Sequence, residues 1–277
     1  MQLSEELKLE RRVVSRFHKA ISDYQLICDG DSVLVALSGG KDSLCLLELL
    51  ARQSHVYRPK FRLEAVHVRM DNIHYETDTS YLERFCKRLD VKLHVLTTRF
   101  ETESRGNSNE TENVSANEPA SGDGQYASKA ALRKQKTPCF LCSWYRRKAI
   151  FNLAQTEGFN KIALGHHQDD ILHTTLMNLF FQGRFEGMPV ALTMKKMALT
   201  IIRPLCLELE SDLKAFARLN HYEQQLKTCP YEHDTHRSEI AKLYQQVERM
   251  NCEARYSIWH ALAKASKLTE VEEPKEY

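Results

Sequence analysis

The sequence predicts an α/β protein: a parallel sheet with helices on both faces, extended by helical segments at its amino and carboxyl ends. Three observations carry this. Apolar runs of five to eight residues alternate with helix-patterned stretches of eleven to sixteen between Val33 and Leu205, an order that parallel strands joined by crossover helices require. Two of those runs end in a small glycine-containing turn that leads straight into a helix, at Leu37–Lys41 and at Leu164–His167. The 277 residues, 42% hydrophobic, suffice for a core of about 200 residues with extensions.

Each element follows from its pattern. Residues 3–27 place Leu3, Leu7, Val13, Val14, Phe17, Ala20 and Ile21 on a rough helical stripe, so the first 30 residues read as an amino-terminal helical extension. From there the strand VLVAL (33–37), helix SLCLLELLARQ (43–53), strand LEAVHVRM (63–70), helix TSYLERFCKRL (79–89) and strand KLHVLTT (92–98) follow in turn. A second block holds the helix SWYRRKAIFNLAQTEG (143–158), strand KIALGHH (161–167) and helix DDILHTTLMNLFFQ (169–182). It continues with the apolar strand LTIIRPL (199–205) and a helix opened by Ser211-Asp212. The α/β domain is expected over 31–222, and 223–277 as a carboxy-terminal helical extension. Between the two blocks, 101–136 is rich in Glu, Ser, Asn, Gly and Ala with almost no large apolar residue, which predicts a mobile insert.

Composition excludes some classes. No apolar run reaches the ~18–20 residues of a membrane span, and the polar start MQLSEELKLERRVV is unlike a secretory signal. A cytoplasmic protein without a membrane partner is expected, in which eight cysteines do not form a disulfide framework. The formal charge of +2 conceals an asymmetry: residues 101–124 carry six acids against Arg105 alone, net −5, leaving +7 on the rest. A basic body is consistent with binding a phosphate backbone, although solvated surface charge gives the same count.

The chemistry-bearing stretch is Ser38-Gly-Gly-Lys-Asp-Ser43. A strand-to-helix turn presents free amides and a helix dipole, glycines allow close approach, and Lys41 adds charge, so the turn is suited to a phosphate. The common phosphate loop is excluded, because Val35 stands where its first glycine belongs and Asp42 where its Ser or Thr follows the lysine. A hydrolase elbow is excluded by Ala36, two before Ser38. The second turn precedes Asp169 and Asp170; either carboxylate suits a helix cap, and either suits Mg²⁺ at a triphosphate. Pro138-Cys139-Phe-Leu-Cys142 sets two thiols three apart at a helix start beside Arg146, Arg147 and Lys148, suited to metal, iron-sulfur or redox chemistry. Cys229, His233 and His236 are candidate further ligands, whereas Cys28, Cys45, Cys86 and Cys206 read as small core residues and Cys252 as following a helix.

The loop Ser38–Ser43 resembles the pyrophosphate loop of the ATP pyrophosphatase (PP-loop) superfamily, Rossmann-like enzymes of the adenine nucleotide alpha hydrolase type that split ATP between its α and β phosphates. The order SGGKDS, PCFLCSWYRR, ALGHHQDD and then Cys229 is similar to the tRNA 2-thiocytidine synthetase family, over roughly Val33 to Arg237. The resemblance implies catalytic Lys41, Asp42 and Asp169, the last also associated with Mg²⁺. It implies ATP held by Ala36, Ser38, Gly39, Gly40, Lys41, Ser43, Met70 and Gly165, and a 4Fe-4S cluster on Cys139, Cys142 and Cys229. It further implies a tRNA cytidine whose O2 attacks the α phosphate, sulfur from a cysteine desulfurase or inorganic sulfide, and a homodimer. RNA is expected along Arg146, Arg147 and Lys148, with Arg133, Lys134 and Lys136 near them. Arg237, Arg249, Arg255, Tyr256 and Trp259 suit either RNA or a docking helix. Two other readings stay open: a cluster-free enzyme of the superfamily acting on another nucleophile, and a zinc-stabilised RNA-binding module.

Overall fold

The computed structural model describes residues 4–56, 58–71, 79–99, 138–223 and 236–272. Helix α1 (Glu5–Asp23) leads to strand β1 (Ser32–Ala36), helix α2 (Lys41–Ser54), β2 (Arg62–Met70), α3 (Thr79–Arg88) and β3 (Lys92–Thr98). After the insert come α4 (Pro138–Thr156), β4 (Lys161–Ala163), α5 (Gln168–Gln182), β5 (Ala191–Met194), β6 (Leu199–Ile202) and α6 (Glu210–Leu219). The carboxy-terminal part is α7 (His236–Met250), α8 (Ala254–Lys264) and β7 (Thr269–Glu272).

Among the described residues, seven strands form one sheet in the order β3-β2-β1-β4-β6-β5-β7. From β1 the chain winds outward through β2 and β3, then returns to β4 on the other side, so the winding direction reverses between β1 and β4. Val35 pairs with Ala163 there, and both strands end within one residue of that pair. A crevice therefore opens beyond the carboxyl ends of β1 and β4, the place where sheets of this kind bind ligands. The expected parallel sheet is thus present, with two additions. β5 folds back antiparallel on β6, with Ala191 opposite Ile202, and β7 lies parallel beside β5. The carboxy-terminal extension is accordingly not wholly helical: it returns a strand to the sheet edge.

Helix α2 is buried almost all round, with Leu44, Leu46, Leu47 and Leu50 wholly inaccessible. Each such leucine contributes about 1.5–3 kcal/mol by removal from water, so the helix whose first turn forms the loop is anchored in the core. α1 covers one side with Val13, Phe17, Ala20 and Ile21. It is tied to α6 by Arg12 and Arg16, which reach the Asp212 carboxylate at 2.7 and 2.6 Å. The amino-terminal segment therefore shares the core of the sheet. Cys45, Cys86 and Cys206 are core residues as expected, and burial pushes the Cys86 thiol up to about 12. Cys28, expected with them, is exposed, because the chain has left α1 for the turn before β1. Cys252 is exposed after α7.

Glu208, between β6 and α6, is fully buried, and neither carboxyl oxygen has a hydrogen-bond partner among the described residues. Burial pushes its carboxyl up from 4.5 to about 8, against the pull of Arg16 and Arg12. The folded protein therefore keeps a proton that the unfolded chain releases, and it loses stability as pH rises from the unfolded value through the folded one. Glu208→Gln is expected to stabilise the protein by a margin that widens between pH 5 and pH 8 to ~3 kcal/mol. Urea unfolding of both proteins at three pH values measures this; a constant difference would contradict it.

Candidate active site at the β1–β4 crevice

The loop after β1 is built by its own side chains. Gly39 has φ of 82°, a left-handed conformation that favours glycine. Ser38 Oγ accepts from the Gly40 amide at 3.3 Å and lies 3.1 Å from Ser43 Oγ, which donates to the Gly40 carbonyl at 2.8 Å. Gly40 caps α2 with no side-chain bond, so the first-turn amides of α2 face the crevice. Ala36 and Met70 close β1 and β2 on the same edge, Met70 being 5% exposed. Lys41 Nζ sits 3.1 Å from Asp42 Oδ2 and 3.4 Å from Glu210 Oε1. Burial alone would lower its pKa, but these two carboxylates raise it, so the ammonium stays charged. The second oxygen of Asp42, Oδ1, is buried without a hydrogen-bond partner among the described residues, which suits a hard cation in need of oxygen ligands. A cavity of about 240 Å³ beside the loop is lined by Gly39, Gly40 and Lys41 together with Lys214 and Arg218 of α6.

On the facing side, Gly165 is required by backbone, not by a ligand alone. A Cβ there would stand 3.1 Å from the Asp42 carbonyl carbon and the Ser43 nitrogen. Neither is the end of a flexible side chain. Gly165→Ala must therefore push the first turn of α2 out of line, at a cost of about 1–3 kcal/mol, and a tenfold or larger fall in kcat/KM for ATP is expected. Unchanged kinetics would show that the two turns need not touch.

α5 begins with a reciprocal cap: His167 is the N-cap, and the Asp170 carboxylate accepts from its amide at 3.1 Å. Asp170 thus takes the capping role that either acid suited, and Arg237 of α7 lies 3.4 Å from its other oxygen. Asp169 is differently held. Its Oδ2 accepts from the Glu210 amide at 2.8 Å and its Oδ1 from Arg255 Nη2 at 2.6 Å. Burial would raise the Asp169 carboxyl, yet the Glu210 amide and Arg255 hold it below the usual carboxylate range. To take a cation, Asp169 must share or release one of these partners. His166 accepts from Arg203 Nε at 3.3 Å; burial and that cation push its pKa down to about 4, so it is neutral.

The structure therefore brings Lys41, Asp42 and Asp169 together through Glu210, whose side chain meets Lys41 and whose amide meets Asp169. Glu210, Arg203 and the Asp169 pairing of Arg255 were not legible beforehand; the only local signal was an acid at the start of a helix.

Cys139 and Cys142 lie in the first turns of α4, one turn apart on one face. The helix starts at Pro138, in line with the reading of Pro138–Cys142 as a helix start, and carries both thiols. Cys139 is exposed, whereas Cys142 packs with Leu141 and Tyr145 against Met70 at the end of β2. The pair thus opens on the same sheet edge as the crevice, one strand away. Cys229 and His233 lie outside the described residues, as do Arg133, Lys134, Lys136 and the whole of the insert. His236 is 3.3 Å from Glu239 at the start of α7. Among the described residues no three His, Cys, Asp or Glu are grouped to hold a metal ion.

Of the expected RNA residues, Arg147 and Lys148 are exposed and Arg146 is half-buried. Lys148 stacks on Trp144 at 5.2 Å and, with Tyr145 and Asn152, lines a cleft of about 460 Å³ against the end of β3. Arg237 and Arg255 are spent on Asp170 and Asp169, and Trp259 Nε1 donates to Tyr24 Oη at 3.2 Å. These contacts join the carboxy-terminal helices to α5 and to the end of α1. Tyr256 remains 63% exposed. No described helix is long and apolar enough to cross a membrane.

Comparison with known proteins agrees with this geometry. Residues 9–117 match the PP-loop domain model. The chain is 32% identical over 258 residues to the tRNA-cytidine(32) 2-sulfurtransferase of Bordetella avium (strain 197N), spanning 93% of this chain and 74% of that one. It is 35% identical over 218 residues to the protein of the same name from Paraburkholderia xenovorans (strain LB400), spanning 79% and 57%. Among solved structures, a U34-tRNA thiolase from Methanococcus maripaludis with its 4Fe-4S cluster superposes with a TM-score of 0.69 at 21% identity, covering 95% of this chain and 82% of that one. At that identity the likeness speaks for the fold.

Proposed function

The chain belongs to the tRNA-cytidine 2-sulfurtransferase family built on the PP-loop domain, and from that premise we propose that it is an ATP-dependent tRNA thiolase that converts a cytidine to 2-thiocytidine. The observation that carries this reading is the shared edge: Lys41, Asp42 and Asp169 gather at the ends of β1 and β4, and Cys142 packs on Met70 at the end of the neighbouring β2.

In this account ATP lies across the crevice, its adenine near Ala36 and Met70 and its β and γ phosphates on the amides of Ser38–Ser43. Lys41 sits where charge gathers as pyrophosphate departs, which is where a fixed cation lowers the barrier most. The cytidine O2 attacks the α phosphorus, pyrophosphate leaves, and AMP on the base becomes the group that sulfur replaces. Asp42, through its buried Oδ1, fits Mg²⁺, which when bound neutralises phosphate charge; Asp169 is the second candidate, subject to its Arg255 pairing. The donor set at the start of α4 fits an iron-sulfur cluster, with Cys139 and Cys142 as two ligands and Cys229 as the third, and such a cluster supplies iron able to hold sulfur. The sulfur itself comes from a cysteine desulfurase or inorganic sulfide.

The tRNA is placed along Arg147, Lys148 and the cleft beside Trp144 and Tyr145, where cations and aromatic faces stand together. A homodimer is proposed on the exposed apolar stripe Leu243, Val247 and Met250 of α7. The organisation proposed is a catalytic body over 31–222 with the segments 1–30 and 223–277 packed on it, working in the cytoplasm. The test is tRNA-dependent release of AMP and pyrophosphate from ATP. Release of ADP, or AMP release indifferent to tRNA, would overturn the reading.

A further inference from the structure

Arg255 makes more contacts than a docking residue needs. Its side chain is only 13% exposed, and so is that of Asp169. Nη2 reaches Asp169 Oδ1 at 2.6 Å and Glu248 Oε1 of α7 at 2.9 Å, Nη1 donates to Gln168 Oε1 at 3.2 Å, and the guanidinium lies 5.6 Å from the Tyr244 ring centre. One planar group thus joins the first turn of α5 to both carboxy-terminal helices. The remaining Asp169 oxygen accepts from the Glu210 amide, at the start of the helix whose first side chain meets Lys41. Each oxygen of Asp169 therefore has a fixed donor, one from α6 and one from α8. Arg237 offers a comparison: it reaches Asp170 at 3.4 Å, but it is 43% exposed and its partner already caps the helix.

We propose that Arg255 is a positioning residue for the reaction, its guanidinium fixing the Asp169 carboxylate in the crevice, so that α7 and α8 are a working part of the site. This rests on the reading of Asp169 as a residue of the ATP site. Without Arg255 the carboxylate keeps the Glu210 amide on Oδ2, with His167 Nδ1 3.6 Å from that oxygen, while Oδ1 loses its guanidinium donor. A lysine restores charge but cannot bond Gln168, Asp169 and Glu248 together, because it lacks the planar fork.

The experiment compares the wild-type protein with Arg255→Gln, Arg255→Lys, Arg237→Gln, Asp169→Asn and the double variant Arg255→Gln/Asp169→Asn. It measures tRNA-dependent AMP release per folded molecule and hydrogen exchange at the Glu210 amide. Arg255→Gln is expected to lower kcat by about 30- to 100-fold, with KM for ATP within threefold. Arg255→Lys is expected to fall between it and the wild type, and Arg237→Gln to stay within threefold of the wild type. The double variant should be no worse than Asp169→Asn, since both act through one carboxylate. The Glu210 amide should exchange at least tenfold faster in Arg255→Gln. Where that variant does not fold, Arg255→Lys carries the same comparison. A kcat within twofold of the wild type with unchanged Glu210 exchange would overturn the inference, as would losses that multiply in the double variant. A wild-type protein that forms no AMP would instead overturn the ATP-site reading beneath it.

Discussion

Lys41→Ala is expected to lower tRNA-dependent AMP release by about 10²–10³-fold, the usual cost of removing a fixed donor from a group that gains charge in the transition state. Lys41 suits that role by position and by charge. It is the first residue of α2, so its backbone joins the anion-facing turn, and its ammonium is held at 3.1 and 3.4 Å by Asp42 and Glu210. Its side chain is 31% exposed, and the core of α2 lies beneath it. The substitution should therefore cost little stability, on the order of 1 kcal/mol. Activity lost with the unfolding midpoint nearly unchanged is the expected pattern, read from steady-state kinetics and thermal unfolding on one preparation. A fall of less than about tenfold would move the leaving-group role elsewhere, with Lys214 and Arg218 in the adjoining cavity next to be substituted.

The second large effect concerns the thiols. Cys139→Ala and Cys142→Ala, purified without oxygen, are each expected to lose iron and inorganic sulfide together and to form no detectable 2-thiocytidine. Their affinity for ATP should remain within about threefold of the wild type, because the turn Ser38–Ser43 is built by its own side chains. The structure supplies the control. Cys252 is equally a cysteine and exposed, but it follows α7 and does not share α4 with the pair; Cys252→Ala should keep its iron. Cys45 and Cys206 are wholly buried, and burial raises their thiol pKa values, which disfavours the thiolate a metal requires. Zinc in place of iron, unchanged by either substitution, would contradict the cluster and favour a structural metal site.

The sequence made part of this plain, and the reasons are physical. The strands β1 to β4 and the helices between them are written locally, as apolar runs punctuated by glycine and acidic residues, and the loop Ser38–Ser43 carries its chemistry within six residues. β5 and β7 are four residues each, and Thr269-Glu-Val-Glu272 offers a single apolar residue, Val271, too little to announce a strand; its pairing with β5 decides it. The start of α4 at Pro138 is legible in the proline itself, a residue favoured at the first helical position, so Pro138–Cys142 reads as a helix start. In the site, the motif residues were legible and their partners were not. Glu210 meets Asp169 across 41 positions and Arg255 across 86, and nothing local marks either. In the sequence Arg255 suits RNA or a docking helix equally, and only the folded chain shows a guanidinium tied to the crevice.

The most direct test of the account is nucleoside mass spectrometry of tRNA lacking thiolation, incubated anaerobically with the iron-reconstituted protein, ATP, Mg²⁺ and sulfide. The account predicts 2-thiocytidine, formed in step with AMP and absent when ATP is omitted or Lys41 is replaced. AMP without a thiolated nucleoside, or an adenylated base that another nucleophile completes, would contradict it.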